Sequence, residues 1–253
     1  SPLKLRFIAY AKHHEKLYNR FIAPHHIIPE NTRHAQAATA LGEMGPMAQK
    51  AIPALLVASQ DKDYIIACRA TAALMKIRQE SPDNLIALAA DVSATSWNRT
   101  ARTLKYLGTN AQAAVPLLIG ELNHTKPWTR MMAAATLGGI ASRPEISVPA
   151  LTNCLTDSES LVRRSAIDAL CKFKSEKQQI VPLLLARMQD PDLNVWLGAA
   201  FGLEELLTPD EKKTLLAPVL RRSLNSPVGI IAENASMFLR RMNAPPTTNA
   251  GVK

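Results

Sequence analysis

Aromatic side chains are scarce in this chain, only 5% of 253 residues, and the 47% apolar fraction is drawn largely from Ala and Leu. A β-sandwich would use more Val, Ile and Tyr, so the composition favours helices packed on helices. Cysteine is scarce too. Cys68, Cys154 and Cys171 form no CxxC pair and are odd in number. They read as buried, reduced thiols serving as small apolar side chains, which fits a reducing compartment without requiring one. No window approaches the roughly 18 consecutive apolar residues that a membrane span needs. The chain opens with Ser1-Pro2 and no Met, as the trimmed part of something longer would. A removed signal peptide or anchor would leave no trace, so the compartment stays open. A membrane connection is expected only through such a missing anchor.

Catalytic signatures are also lacking. There is no GxSxG, HExxH, Walker loop or dinucleotide glycine fingerprint, so no enzyme activity and no cofactor are expected. His13-His14, His25-His26 and His34 match no familiar zinc spacing and have no cysteine nearby. They read as surface or capping residues, and no metal site is expected.

What the chain does have is positive charge, +9 overall. Residues 1–34 hold six Lys/Arg against two Glu, and five of the six His. Such a segment can lean on an acidic partner or acidic lipid, although a solvated surface is the commoner meaning.

It also has a recurring proline. "KAIPALLVASQDKD" is echoed by "AAVPLLIGELNH", "ISVPALTNCLTD" and "QIVPLLLARMQD". Pro53, Pro116, Pro149, Pro182 and Pro218 stand 63, 33, 33 and 36 residues apart, and Ile86 fills the double-length first gap. The register holds at positions not used to set it. Two residues after each anchor stand Leu55, Leu88, Leu118, Leu151, Leu184 and Leu220. Twenty-one after stand Leu74, Leu107, Leu137, Leu170, Leu203 and Leu239, and seventeen after stand Ala70, Thr103, Ala133, Ala166, Ala199 and Ala235. Each unit reads as two helices. The proline begins or kinks the first, a polar loop with Asp61, Asp157 or Asp190 caps the second, and neighbouring pairs must stack to bury their apolar faces. The Ile86 unit departs most, with Arg99 at the apolar position 13 after its anchor, and irregular packing is expected there.

The tetratricopeptide and ankyrin signatures are absent. "VPALTNCLTDSESLVRRSAIDAL" instead resembles the HEAT-repeat family, in its short variety named after phycobilisome lyases. The matching features are Pro-x-Leu, the loop Asp157, Val162-Arg163 and Ala166…Ala169-Leu170. The resemblance spans about residues 35–243. It implies an all-α fold, an α-solenoid (armadillo/HEAT-like superhelix) of about six to seven helix-pair repeats. Residues 1–34 are expected to form an amphipathic capping helix with a basic entry segment, 35–243 the repeat array, and 244–253 a frayed tail.

In such an array the second helices line one surface. A helical wheel places their outward side at about 11, 15, 19 and 22 residues after each anchor. Those columns hold six ionisable Lys, Arg, Asp or Glu in 24 places, beside large apolar residues. Either Tyr64, Trp97, Trp128, Met131, Leu197 and Phe201 line an apolar groove for a peptide or protein partner, or the packing buries them; accessible area decides. The leading function is a non-enzymatic protein-interaction scaffold. A nucleic-acid binder is the alternative, since HEAT-like DNA alkylation-repair glycosylases share this size and basic charge. Such an enzyme needs a catalytic Asp, and Asp168 is the one carboxylate central to the columns. A bilin lyase-like chaperone role follows only from the family's name.

Overall fold

A computed structural model describes residues 30–89 and 97–243, and the described residues are helical with no strand among them. The expected capping helix before residue 30 and the tail after residue 243 lie outside the described residues, as do His13, His14, His25 and His26. The chain divides into two compact units, meeting in sequence at Arg143 and Pro144.

The first unit opens with α1 (Glu30–Glu43), followed by a 3-10 segment, Gly45–Ala51. Three helix pairs follow: α2 (Ile52–Ala58) with α3 (Tyr64–Arg78), α4 (Asp83–Ala89) with α5 (Trp97–Leu107), and α6 (Val115–Glu121) with α7 (Pro127–Ile140). The second helices stack in sequence, α1 on α3, α3 on α5 and α5 on α7, while each first helix packs against its own partner. In the second unit the pairs are α8 (Pro144–Asn153) with α9 (Ser160–Leu170) and α10 (Lys177–Arg187) with α11 (Leu193–Leu206). A short turn and a π-helical segment, Lys212–Leu216, then lead to α12 (Ala217–Ser223) and α13 (Gly229–Asn243).

The anchor prolines behave in two ways. Pro53, Pro116 and Pro218 sit in the first turn of their helices, where the missing N–H has no intrahelical duty. Pro149 and Pro182 lie inside α8 and α10. Each deprives the carbonyl four residues back of its donor. The prolines and the residues four back, Glu145 and Gln178, are all exposed, so the missing intrahelical bond falls on a surface that water reaches.

The repeat columns form the cores. Leu55, Leu118, Leu151, Leu184 and Leu220 are buried, as is every residue of the small column from Ala70 to Ala235. Burying one Leu of this kind is worth roughly 1.5–3 kcal/mol. Two members fail for identifiable reasons. Leu88 is 51% exposed, in the irregular Ile86 unit, where Ala89 rather than Leu88 is buried. Arg99 is exposed there and reaches back to donate from Nη2 to the Ser59 carbonyl at 3.0 Å. Leu239 is half-buried because its neighbour Phe238 takes the inward place, edge-on to Trp196 with ring centroids 5.9 Å apart.

The loop aspartates need one correction. Asp61, Asp157 and Asp190 close the turn: each Oδ1 accepts the amide two residues on, at 2.8–3.0 Å. The N-caps fall two positions later. Asp63 accepts from Ile65, and Asp192 from Asn194 and Val195. Asp190 has a second duty. It takes a two-pronged ion pair from Arg163, at 2.9 and 2.8 Å, and a third arm of that guanidinium holds the Asp157 carbonyl. This joins consecutive repeats of the second unit through a nearly dry pair.

Candidate functional site

The outward strips of the second helices differ from the wheel's prediction. Cys68, Ala72, Met75, Trp97 and Ala101 were all placed outside, and all are buried. A second helix packs against its first-helix partner and against the second helices on either side, so its buried arc is wider than the single stripe used to orient the wheel. On α3 and α5 the strip is therefore centred one position on, at residue 16 after the anchor, where Arg69 and Arg102 stand; on α7 that position is the buried Met132, and Met131 before it stays half-buried.

The six predicted groove residues separate accordingly. Trp97 is a correction. At 3% exposure it forms a core cluster with Ala101 and Met132, against which Met131 lies half-buried. Tyr64 and Trp128, both 50% exposed, stay on the surface of the first unit. Leu197 is half-buried and Phe201 is 44% exposed on the second unit, where the Phe201 ring leans on Phe238 at 5.1 Å.

Charge at these strips is organised differently in the two units. In the first, the guanidinium of Arg69 lies 4.6 Å from the Tyr106 ring centre and donates from Nη1 to Thr39 Oγ1 at 2.9 Å. Its Nε is buried without an acceptor. Arg102 lies 5.0 Å over Tyr64, and the Trp128 indole N–H donates to Asn98 Oδ1 at 2.7 Å. In the second unit, Arg164 lies across α11 in the space left by Gly198, where a Cβ would fall 2.5 Å from its Cδ. It donates from Nε to both Asp168 oxygens, at 2.9 and 3.0 Å, and from Nη1 to the Asn194 carbonyl. Asp168 is thereby engaged by a cation rather than presented as an unpaired base. Burial pushes the Cys171 thiol up to about 12 and raises that of Cys68, so both are neutral at physiological pH. Among the described residues, no group of three or more His, Cys, Asp or Glu is placed to hold a metal ion. No helix among them is long and apolar enough to cross a membrane.

The wheel missed Arg69, Arg102 and Tyr106. A signal for them was present: "YIIACRATAALMKIR", "WNRTARTLKYL" and "PWTRMMAAATLGGI" together hold seven Lys/Arg and no Asp or Glu.

Helix pairs stacked in one repeating register define a helical-repeat protein. A family model for HEAT repeats matches residues 85–171 and 148–237, together more than half of the chain, which therefore belongs to the HEAT-repeat family. No curated protein matches it. Among solved structures it is similar to an engineered protein from the Northeast Structural Genomics Consortium, at 20% identity and TM-score 0.49, over 85% of this chain and 92% of that one. It is also similar to the archaeal HEAT-like repeats protein from Thermococcus onnurineus NA1, at 11% identity and TM-score 0.39, over 87% and 100%.

Proposed function

We propose that this chain is a non-enzymatic scaffold that binds peptide or protein segments along the outward strips of its second helices. One observation carries the reading. The described residues include three exposed aromatic side chains, Tyr64, Trp128 and Phe201, and all three lie on second helices. Exposed aromatics supply large contact area for little conformational entropy and are the usual anchors of protein recognition. Catalysis by an unpaired Asp168 is disfavoured by its two bonds to Arg164.

Selection of a displayed peptide library on the full chain tests the reading. Enriched peptides should lose at least tenfold in affinity to a Tyr64→Ala/Trp128→Ala/Phe201→Ala variant whose melting is unchanged. Absence of enrichment, or equal binding to the variant, would count against a binding role for these strips.

A further inference from the structure

We propose that the second-helix strip of the first unit takes an extended, acidic segment of a protein partner, its carboxylates pairing with Arg69 and Arg102. This rests on the scaffold reading and names the chemistry of one of its ligands.

Charge is the first support. Helices α3, α5 and α7 carry Arg69, Lys76, Arg78, Arg99, Arg102, Lys105 and Arg130 and no acidic residue. Neither Arg69, Arg99 nor Arg102 pairs with a carboxylate among the described residues. Arg69 is held by a threonine hydroxyl and a tyrosine ring, Arg99 by a backbone carbonyl, and Arg102 by a tyrosine ring. Acids stand at the edges of the strip: the Glu43 charge is felt at Lys76, Arg78 pairs with Glu80 at 3.3 Å, and Asp63 caps the start of α3. Guanidinium groups already desolvated on one side, and fixed by stacking, lose little freedom when they bind an anion.

Spacing is the second support. Arg69 and Arg102 occupy the same repeat position on α3 and α5, which pack directly together. Packed helices lie about 8–10 Å apart. A polyproline-type extended chain advances about 3.1 Å per residue with three residues per turn, so side chains about 9 Å apart recur on one side. An acidic residue at every third position therefore meets successive arginines.

The tyrosines argue for carboxylates over single-stranded nucleic acid. Base binding needs open aromatic faces. Arg102 and Arg69 already cover one face each of Tyr64 and Tyr106, and the exposed Trp128 stands on α7 rather than on the helices of the two arginines.

The test measures fluorescence anisotropy of a labelled (Pro-Ala-Glu)4 peptide with the full chain, beside its Gln counterpart and a labelled 12-nucleotide oligo(U). Binding of the Glu peptide alone, weakening steeply with added salt, is expected. Arg69→Gln/Arg102→Gln should weaken it about tenfold or more. Arg221→Gln/Arg222→Gln removes the same charge from exposed positions on α12 and should leave affinity within twofold. Because Arg69 is partly buried, Arg102→Gln alone serves as a second variant; Arg102 makes no hydrogen bond to the described residues and should still cost at least threefold. Oligo(U) binding in place of the peptide, equal loss in both double variants, or no Glu-peptide binding at 50 mM salt would each overturn the proposal. The library selection separates the two readings. Enrichment of neutral peptides dependent on Trp128 or Phe201 would leave the scaffold standing while the acidic ligand fell.

Discussion

The two units fill the same repeat columns with the same kinds of residue, yet their second helices differ in charge. In the first unit, α3, α5 and α7 hold seven Lys/Arg against no Asp or Glu. In the second unit, α9, α11 and α13 hold Arg163, Arg164, Arg240 and Arg241 against Asp168, Glu204, Glu205 and Glu233. There the charges are mostly spent internally, as in the pairs Arg163–Asp190, Arg164–Asp168 and Arg241–Glu204. Internal pairing neutralises a strip and leaves Phe201, Ile230 and Met237 as the exposed large apolar side chains on α11 and α13. In the first unit Arg78 pairs with Glu80, but Arg69 and Arg102 stack on tyrosine rings, and the three helices keep an excess of positive charge. A repeat fold thus conserves what faces inward and is free to vary what faces outward, and function must be sought in the varying part.

The largest expected effects test the shared half of this comparison. Trp97→Ala should cost about 3–5 kcal/mol in chemical denaturation, because the ring is core, while Trp128→Ala should cost under about 1 kcal/mol. Equal costs would mean that the two tryptophans are not divided between core and surface. Leu137→Ala in the first unit and Leu170→Ala in the second should each cost about 2–5 kcal/mol, whereas Leu88→Ala, from an exposed column position, should stay within about 0.5 kcal/mol. Next is the internal pairing of the second unit. Asp190→Ala strands the Arg163 guanidinium in a site where both side chains are largely buried, and about 3 kcal/mol of destabilisation is expected. Thiol-probe kinetics come next. Cys68, Cys154 and Cys171 are all buried, so none should react at neutral pH on the timescale of an exposed thiol until the chain is unfolded.

The smallest effect concerns pH. The Lys177 ammonium beside Glu211, together with the Thr208 amide and hydroxyl, pulls that carboxyl down to about 2. A depressed folded pKa stabilises above the unfolded value, near 4.5, and the contribution fades as pH falls from there towards about 2. Glu211→Gln should therefore lower stability by a small, constant amount at neutral pH, with the difference from the native chain closing as pH falls from about 4.5 towards about 2.

The architecture was largely legible in the sequence because the columns that fix it are apolar and periodic. Leu55, Leu118, Leu151, Leu184 and Leu220 need only to be counted at one spacing, and the structure buries all of them. The site was less legible. The wheel orients a helix from one buried stripe, but α5 is flanked by α3 and α7 as well as α4, so Trp97 and Ala101 on its flanks are covered too. Arg69 and Arg102 sit one place from the assumed outward column, close enough for that error to hide them. The absence of acids in three consecutive second helices would have found them without any wheel. Capping shows the same limit on a smaller scale. Asp61 and Asp190 read as caps of the following helix, but they close Asx turns and the caps are Asp63 and Asp192; an Asx turn and an N-cap use the same kind of side chain two residues apart, and only geometry separates them.

The claim that each unit builds its core from the same repeat columns but that the two differ in ligand chemistry is tested most directly by hydrogen exchange of the full chain, with and without saturating (Pro-Ala-Glu)4 peptide. Slowed exchange is predicted in α3 and α5, residues 64–78 and 97–107, with α9, α11 and α13 unchanged. Protection confined to the second unit, or spread equally over both, would contradict the account.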